Sequence, residues 1–168
     1  RFGVAFVELD VTRLDRQGAA VGHGVAGVDD EVQDHLFDLS GVGPDLAEVA
    51  AHAGLSRADA IRLHASVDYH VYMLGFLPGY AYMGDVPDRL RMPRIETPRV
   101  RVPARSLAIA FGQTGIYPLE SPGGWRLLGR TPLRLFDAQR DPPSLLSPGD
   151  RVRFAPIDID AYRLLEST

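Results

Sequence analysis

The chain contains no cysteine, no lysine, and no apolar run near the roughly 20 residues needed to cross a bilayer. Without cysteine, disulfides, thiolate metal sites and a cysteine nucleophile are excluded. Without lysine, so are a Schiff base, a biotinylated or carboxylated lysine, and the Walker A phosphate loop. The stretch Gly79-Tyr80-Ala81-Tyr82-Met83-Gly84-Asp85 has that loop's glycine spacing but places Asp85 where lysine must stand. All 18 basic residues are therefore arginine, a bias that codon usage ordinarily explains, and 22 acidic residues outweigh them. An acidic chain without a recognised nucleic-acid motif gives no reason to expect nucleic acid as a partner. The five histidines show no H-x-x-x-H spacing, so no metal site is expected, and Ser121 sits in Ser-Pro-Gly-Gly rather than a hydrolase elbow. The first residues, Arg1 to Glu8, turn acidic too early for a secretory signal, and a cytoplasmic location is the expectation.

The 168 residues suffice for one well-cored domain. Residues 1–42 are the least regular: Phe2 to Val7 suits a strand, Val11 to Asp15 could begin a helix, and the glycine-rich stretch from Gly18 to Gly27 breaks any period. They are set apart as an N-terminal segment from a barrel domain at 43–168. Pro44, the spacing of Leu46, Val49 and Ala50, and Gly54 as a stop predict a first helix. Ser56-Arg57-Ala58-Asp59 is a capping box opening a second, to about Ser66, with Ile61, His64 and Ala65 on one face. From Tyr69 onward the pattern is β. Tyr69 to Leu77, Leu107 to Phe111, Trp125 to Leu128, Leu133 to Phe136, and Val152 with Phe154 predict at least five strands between Pro/Gly turns. A mainly β fold, a closed or nearly closed barrel with two short helices, follows.

Three groups of residues can carry chemistry. Arg89, Arg91, Arg94, Arg99, Arg101 and Arg105 lie within seventeen residues, stiffened by Pro93, Pro98 and Pro103. Guanidinium forks bind carboxylate or phosphate, but the same cluster could dock an acidic partner or be a solvated face. His64 could act as a general base or be a core histidine, since it shares a face with Ile61. Gln113, Thr114, Tyr117 and Arg130 sit among the turns of residues 106–132, whose density of glycine and proline reads as a site built on loops of a β scaffold, or simply as hairpins. Aromatic residues beside Pro78-Gly79 could wall a pocket or pack in the barrel.

Five motifs in order resemble one family. They are Tyr72 to Gly84 (YMLGFLPGYAYMG), Thr97 to Ala104 (TPRVRVPA), Gly112 to Pro118 (GQTGIYP), Ser121 to Trp125 (SPGGW) and Gly129 to Pro132 (GRTP). Over about Gly43 to Ile157 the chain is similar to the PxpB/KipI family, also labelled allophanate hydrolase subunit 1. That resemblance implies a cyclophilin-like β-barrel, with residues 1–42 a truncated or divergent N-terminal α/β segment. It implies the B-type component of an ATP-dependent 5-oxoprolinase, inactive alone. The partners would be a PxpC/KipA-type and a PxpA-type subunit, with ATP, accompanied or not by magnesium, shared at the partner interface. Other roles in the family are inhibition of a histidine kinase and a module of a urea- or allophanate-processing enzyme. In the lactam-opening reading, His64, Arg101, Gln113, Tyr117 and Arg130 are the catalytic candidates. Arg94, Arg99 and Thr114 are the candidates for holding the cofactor. The chain departs from the family at Arg105 and Phe111, where glycine is usual, and at Tyr80-Ala81, usually Phe-Pro.

Overall fold

A computed structural model describes residues 6–12 and 42–167. Among these residues nine strands and three helices follow one another: β1 Phe6–Thr12, α1 Leu46–Ala53, α2 Arg57–Ala65, β2 Asp68–Leu74, β3 Ala81–Gly84, β4 Arg99–Val102, β5 Ser106–Ala110, β6 Gln113–Ile116, β7 Ser121–Gly123, β8 Arg126–Arg130, β9 Arg151–Ile157 and α3 Ile159–Glu166. Seven strands close a barrel in the order β1-β8-β5-β6-β3-β2-β9, and β4 pairs with β7 in a separate two-stranded sheet. β1 runs antiparallel to β9 along its length and meets β8 in parallel at Phe6 and Arg130. Val11 and Thr12 therefore belong to a strand; the rest of the helix expected there and the stretch Gly18–Gly27 lie outside the described residues.

Both predicted helices form for the predicted reasons. α1 ends at Gly54, whose φ of 64° lets its N–H turn back on Ala50 and Ala51. α2 starts at Ser56, whose hydroxyl accepts the Asp59 N–H at 3.1 Å. α3 is an addition to the sequence reading; Asp158 caps it by accepting the Ala161 N–H at 2.8 Å. Leu133 to Phe136 form no strand, only a single bridge from Phe136 to Ser144. The would-be partner carries Pro142 and Pro143, which have no N–H to give a ladder.

Strand period two divides the side chains between two apolar clusters. Leu107 and Ile109 of β5 face inward with Tyr69, Val71, Met83, Ile116, Val152 and Phe154, and Leu46, Val49 and Ala60 of the helices join them. Ala108 and Ala110 face outward, where Tyr80, Tyr117, Trp125, Leu127 and Val102 of β4 bury them. The β4–β7 sheet thus lies over an outer aromatic face of the barrel, and the candidate site stands there.

Candidate functional site

Tyr80 sits at the middle of this face. Its ring centroid is 4.9 Å from Tyr82, 5.5 Å from Phe76, 5.5 Å from Tyr117 and 5.8 Å from Trp125, all but the first in edge-on geometry. Two glycines let the phenols lie so close to the sheet. A Cβ on Gly115 would stand 2.7 Å from the Tyr80 hydroxyl, and one on Gly123 would press closer still on that of Tyr117. Burial raises the pKa of both phenols; for Tyr117 the Trp125 N–H and the charges of Arg94 and Arg99 pull the other way. Both are neutral phenols, able to donate a hydrogen bond, at physiological pH. The Tyr117 oxygen already accepts from Trp125, so its proton remains to be given away.

The arginine cluster divides by what its members hold. Arg89 donates to the Ala53 carbonyl, Arg91 to Asp88 and the Val86 carbonyl, Arg101 to Glu120, and Arg105 to Glu166 and the Pro132 carbonyl. Arg99 is half engaged. Its Nη2 meets Asp45 Oδ1 at 2.7 Å, and the other oxygen of that carboxylate accepts the Leu127 N–H, also at 2.7 Å. Its Nη1 is buried with no acceptor among the described residues. Among those same residues Arg94 makes no hydrogen bond or ion pair, and it stands near enough to Tyr80 and Tyr117 for its charge to act on both. Arg94, Arg99 and Tyr117, predicted separately, thus come together. Gln113 opens β6 exposed, on the outward side two residues from Gly115.

The structure moves the remaining candidates away. Thr114 is next to Gln113 in a strand, so it points the other way, into the barrel. It is fully buried; its hydroxyl donates to the Ala108 carbonyl at 3.1 Å and lies 3.1 Å from His64 Nε2. With the hydroxyl hydrogen so used, the His64 proton belongs on Nε2. This corrects Thr114 as a cofactor contact, since its hydroxyl is spent inside the barrel. His64 packs its ring against Tyr69 and Phe154 at 5.0 and 4.8 Å, and burial pushes its pKa down to about 3. That is a neutral core histidine, and the general-base reading fails on access. Beside it lies a cavity of about 20 Å³, room for about one water, lined by apolar residues of α1, α2 and the barrel. Arg101 is 63% exposed on β4 and spent on Glu120. Arg130 is buried at the end of β8, where its charge acts on Tyr162 of α3. Sequence reasoning passed over Asp45, which orients Arg99 from 54 residues away, and Trp125; only the Pro44-Asp45 helix start marked the former. Among the described residues no group of carboxylates and histidines could hold a metal ion.

Comparison with known proteins agrees with this architecture. The family model described as carboxyltransferase domain, subdomain C and D matches residues 36–146, and the chain belongs to that family. It is 57% identical, over 68% of its length and 52% of the relative's, to a protein of Escherichia coli O157:H7 named as the B component of 5-oxoprolinase. Two further relatives of the same name, from Bacillus subtilis and Haemophilus influenzae, are 48% and 46% identical. The chain spans about half the length of these curated relatives. The crystal structure of a conserved uncharacterized protein, PH0987 from Pyrococcus horikoshii, is 52% identical and superposes with a TM-score of 0.69 over 72% of this chain and 56% of that one. The urea carboxylase of Kluyveromyces lactis shares the fold at 21% identity, with a TM-score of 0.53 over 71% of this chain and 14% of that one.

Proposed function

We propose that this chain is the barrel part of the B-type component of an ATP-dependent 5-oxoprolinase, working with a PxpC/KipA-type and a PxpA-type subunit in the cytoplasm. One observation carries the reading: an aromatic face with an unpaired arginine and a half-used one, on a chain 57% identical to a protein named for that role. Amide resonance makes a lactam resist hydrolysis. When bound, ATP supplies the phosphoryl group that turns the lactam oxygen into a leaving group. The chain's own residues would position and neutralise charge: Arg94 and Arg99 hold oxyanions, and Tyr117 donates a hydrogen bond from its neutral phenol. An orphaned guanidinium N–H fits a phosphate or carboxylate oxygen. These groups bind and orient; the groups that move protons would come from the partner subunits, making a composite site.

The test is ATP hydrolysis by this protein with its two partners, with and without 5-oxoproline. The expected result is turnover that rises with 5-oxoproline and yields glutamate. A stable complex with no stimulation sinks the reading. A second reading, a regulatory module of the kinase-inhibiting kind, draws on the exposed Tyr72, Met73, Phe76 and Phe111. Such a module would bind its target equally well after Arg94→Gln.

A further inference from the structure

We propose that Arg99 Nη1, Arg94 and the Tyr117 hydroxyl form an oxyanion subsite for a flat, ring-bearing acid, the ring lying against the exposed Phe76, whose own ring meets those of Tyr80 and Tyr117. Only the identity of that acid rests on the lactam reading above.

Asp45 sets the geometry. Buried at the start of α1, it holds no helix N–H of its own; one oxygen takes the Leu127 N–H and the other takes Arg99. A carboxylate tied to the barrel backbone fixes the guanidinium fork in place. A fork so held has two useful arms, and only one is used. A buried donor without an acceptor costs about 1–3 kcal/mol, a cost an arriving oxyanion removes. Arg94 supplies a second positive charge on the exposed side, while Arg89, Arg91, Arg101 and Arg105 are all spent on acceptors of this chain. Tyr117 adds a neutral donor, its oxygen steadied by Trp125 and its ring by Tyr80. Gly115 and Gly123 keep the phenols seated, since any side chain there would displace them. Two cations and a phenol select a single oxyanion, and the exposed Phe76 beside them favours a planar ring. The oxyanion is the carboxylate of a cyclic amide acid or a phosphate oxygen of the nucleotide.

Trp125, the chain's sole tryptophan, stands on this face, so its emission reads the site directly. We would titrate the full chain with 5-oxoproline, with 2-pyrrolidinone (the same ring without the carboxylate), with inorganic phosphate and with ATP. A saturable change is expected with 5-oxoproline but not pyrrolidinone if the carboxylate is bound, and with phosphate and ATP if the phosphoryl group is. Arg94→Gln and Tyr117→Phe should each weaken that binding about ten-fold or more, at unchanged melting temperature for Arg94→Gln. Arg99→Gln should abolish it; because that change strands Asp45, the first two variants decide the matter if it fails to fold. No response to any of the four ligands, or equal affinity in Arg94→Gln and Tyr117→Phe, overturns the subsite. Oxyanion binding with no glutamate from the assembled enzyme would leave the subsite standing and remove the lactam reading. Normal turnover and KM in Arg94→Gln and Tyr117→Phe would do the reverse.

Discussion

The barrel wall has the same strands on both sides and opposite chemistry. Inside, Thr114 bonds between His64 and the Ala108 carbonyl, and the Tyr69 hydroxyl donates to the His64 carbonyl at 2.8 Å. Outside, among the described residues, Arg94 is unpaired, Arg99 keeps a free arm, and Tyr117 has a proton to give. Burial alone does not separate the two, since Tyr80 and Tyr117 are as buried as Tyr69. What separates them is hydrogen-bonding capacity left over. The inner side contributes stability, and the outer side holds back interactions for a ligand.

The strongest way to break that contrast is from inside. Phe154→Ala removes a buried ring from against His64 and Tyr69, and should lower stability by about 3–5 kcal/mol, enough to unfold a marginal domain. Denaturant melts check it; a loss below about 1 kcal/mol would mean that the inner cluster is not the main core. Acid comes next. His64 titrates near 3 in the fold but near 6.5 when unfolded, so the unfolded chain binds its proton first. The stabilising effect of a neutral His64 is present above about pH 6.5 and is lost as pH falls toward 3. The slope reaches up to about 1.4 kcal/mol per pH unit. His64→Leu should flatten that limb, and equal slopes in the two proteins would refute the assignment. A smaller effect is expected from Gly123→Ala on the outer side. The new methyl meets the Tyr117 hydroxyl, so roughly 1–3 kcal/mol of stability and the oxyanion response of Trp125 should be lost together. Ligand binding unaffected by this change would detach Tyr117 from the site.

How far the sequence reveals this division depends on the range of the signal. Helix caps are local, and α1 and α2 were legible to within a residue or two. The segment from Gln113 to Ile116 was not. Its glycines read as turns, but Gly115 is there for close approach of a phenol from another strand, which no local pattern announces. Reading a loop also allowed Gln113 and Thr114 to share one ligand, whereas a strand must send neighbours to opposite faces. The Asp45–Arg99 pair is long-range and was invisible for the same reason. The arginine cluster was visible as a cluster, and only three-dimensional pairing shows which members are spent. The motifs Gly112 to Pro118 and Ser121 to Trp125 marked the aromatic face because they hold residues that make it: Gly115, Tyr117, Gly123 and Trp125.

Two side chains on strained backbone sharpen the contrast on a finer scale. At Arg105 and Phe111 the backbone is left-handed, with φ of 68° and 54°. A side chain there costs about 1–2 kcal/mol, so each position is one where glycine relieves strain. The two residues differ in what their side chains give back. Arg105 bonds Glu166 of α3 at 3.1 Å and the Pro132 carbonyl at 3.2 Å, whereas the Phe111 ring is 58% exposed. Phe111→Gly should therefore stabilise by up to about 1 kcal/mol once glycine's extra chain entropy is set against the strain, a rise of roughly 2–4 °C in Tm. Arg105→Gly should gain less or lose, because relief there is offset by undocking α3. The pair is checked by thermal melts side by side, and a fall in Tm for Phe111→Gly would show that the exposed ring does packing work on the barrel surface that outweighs its strained backbone.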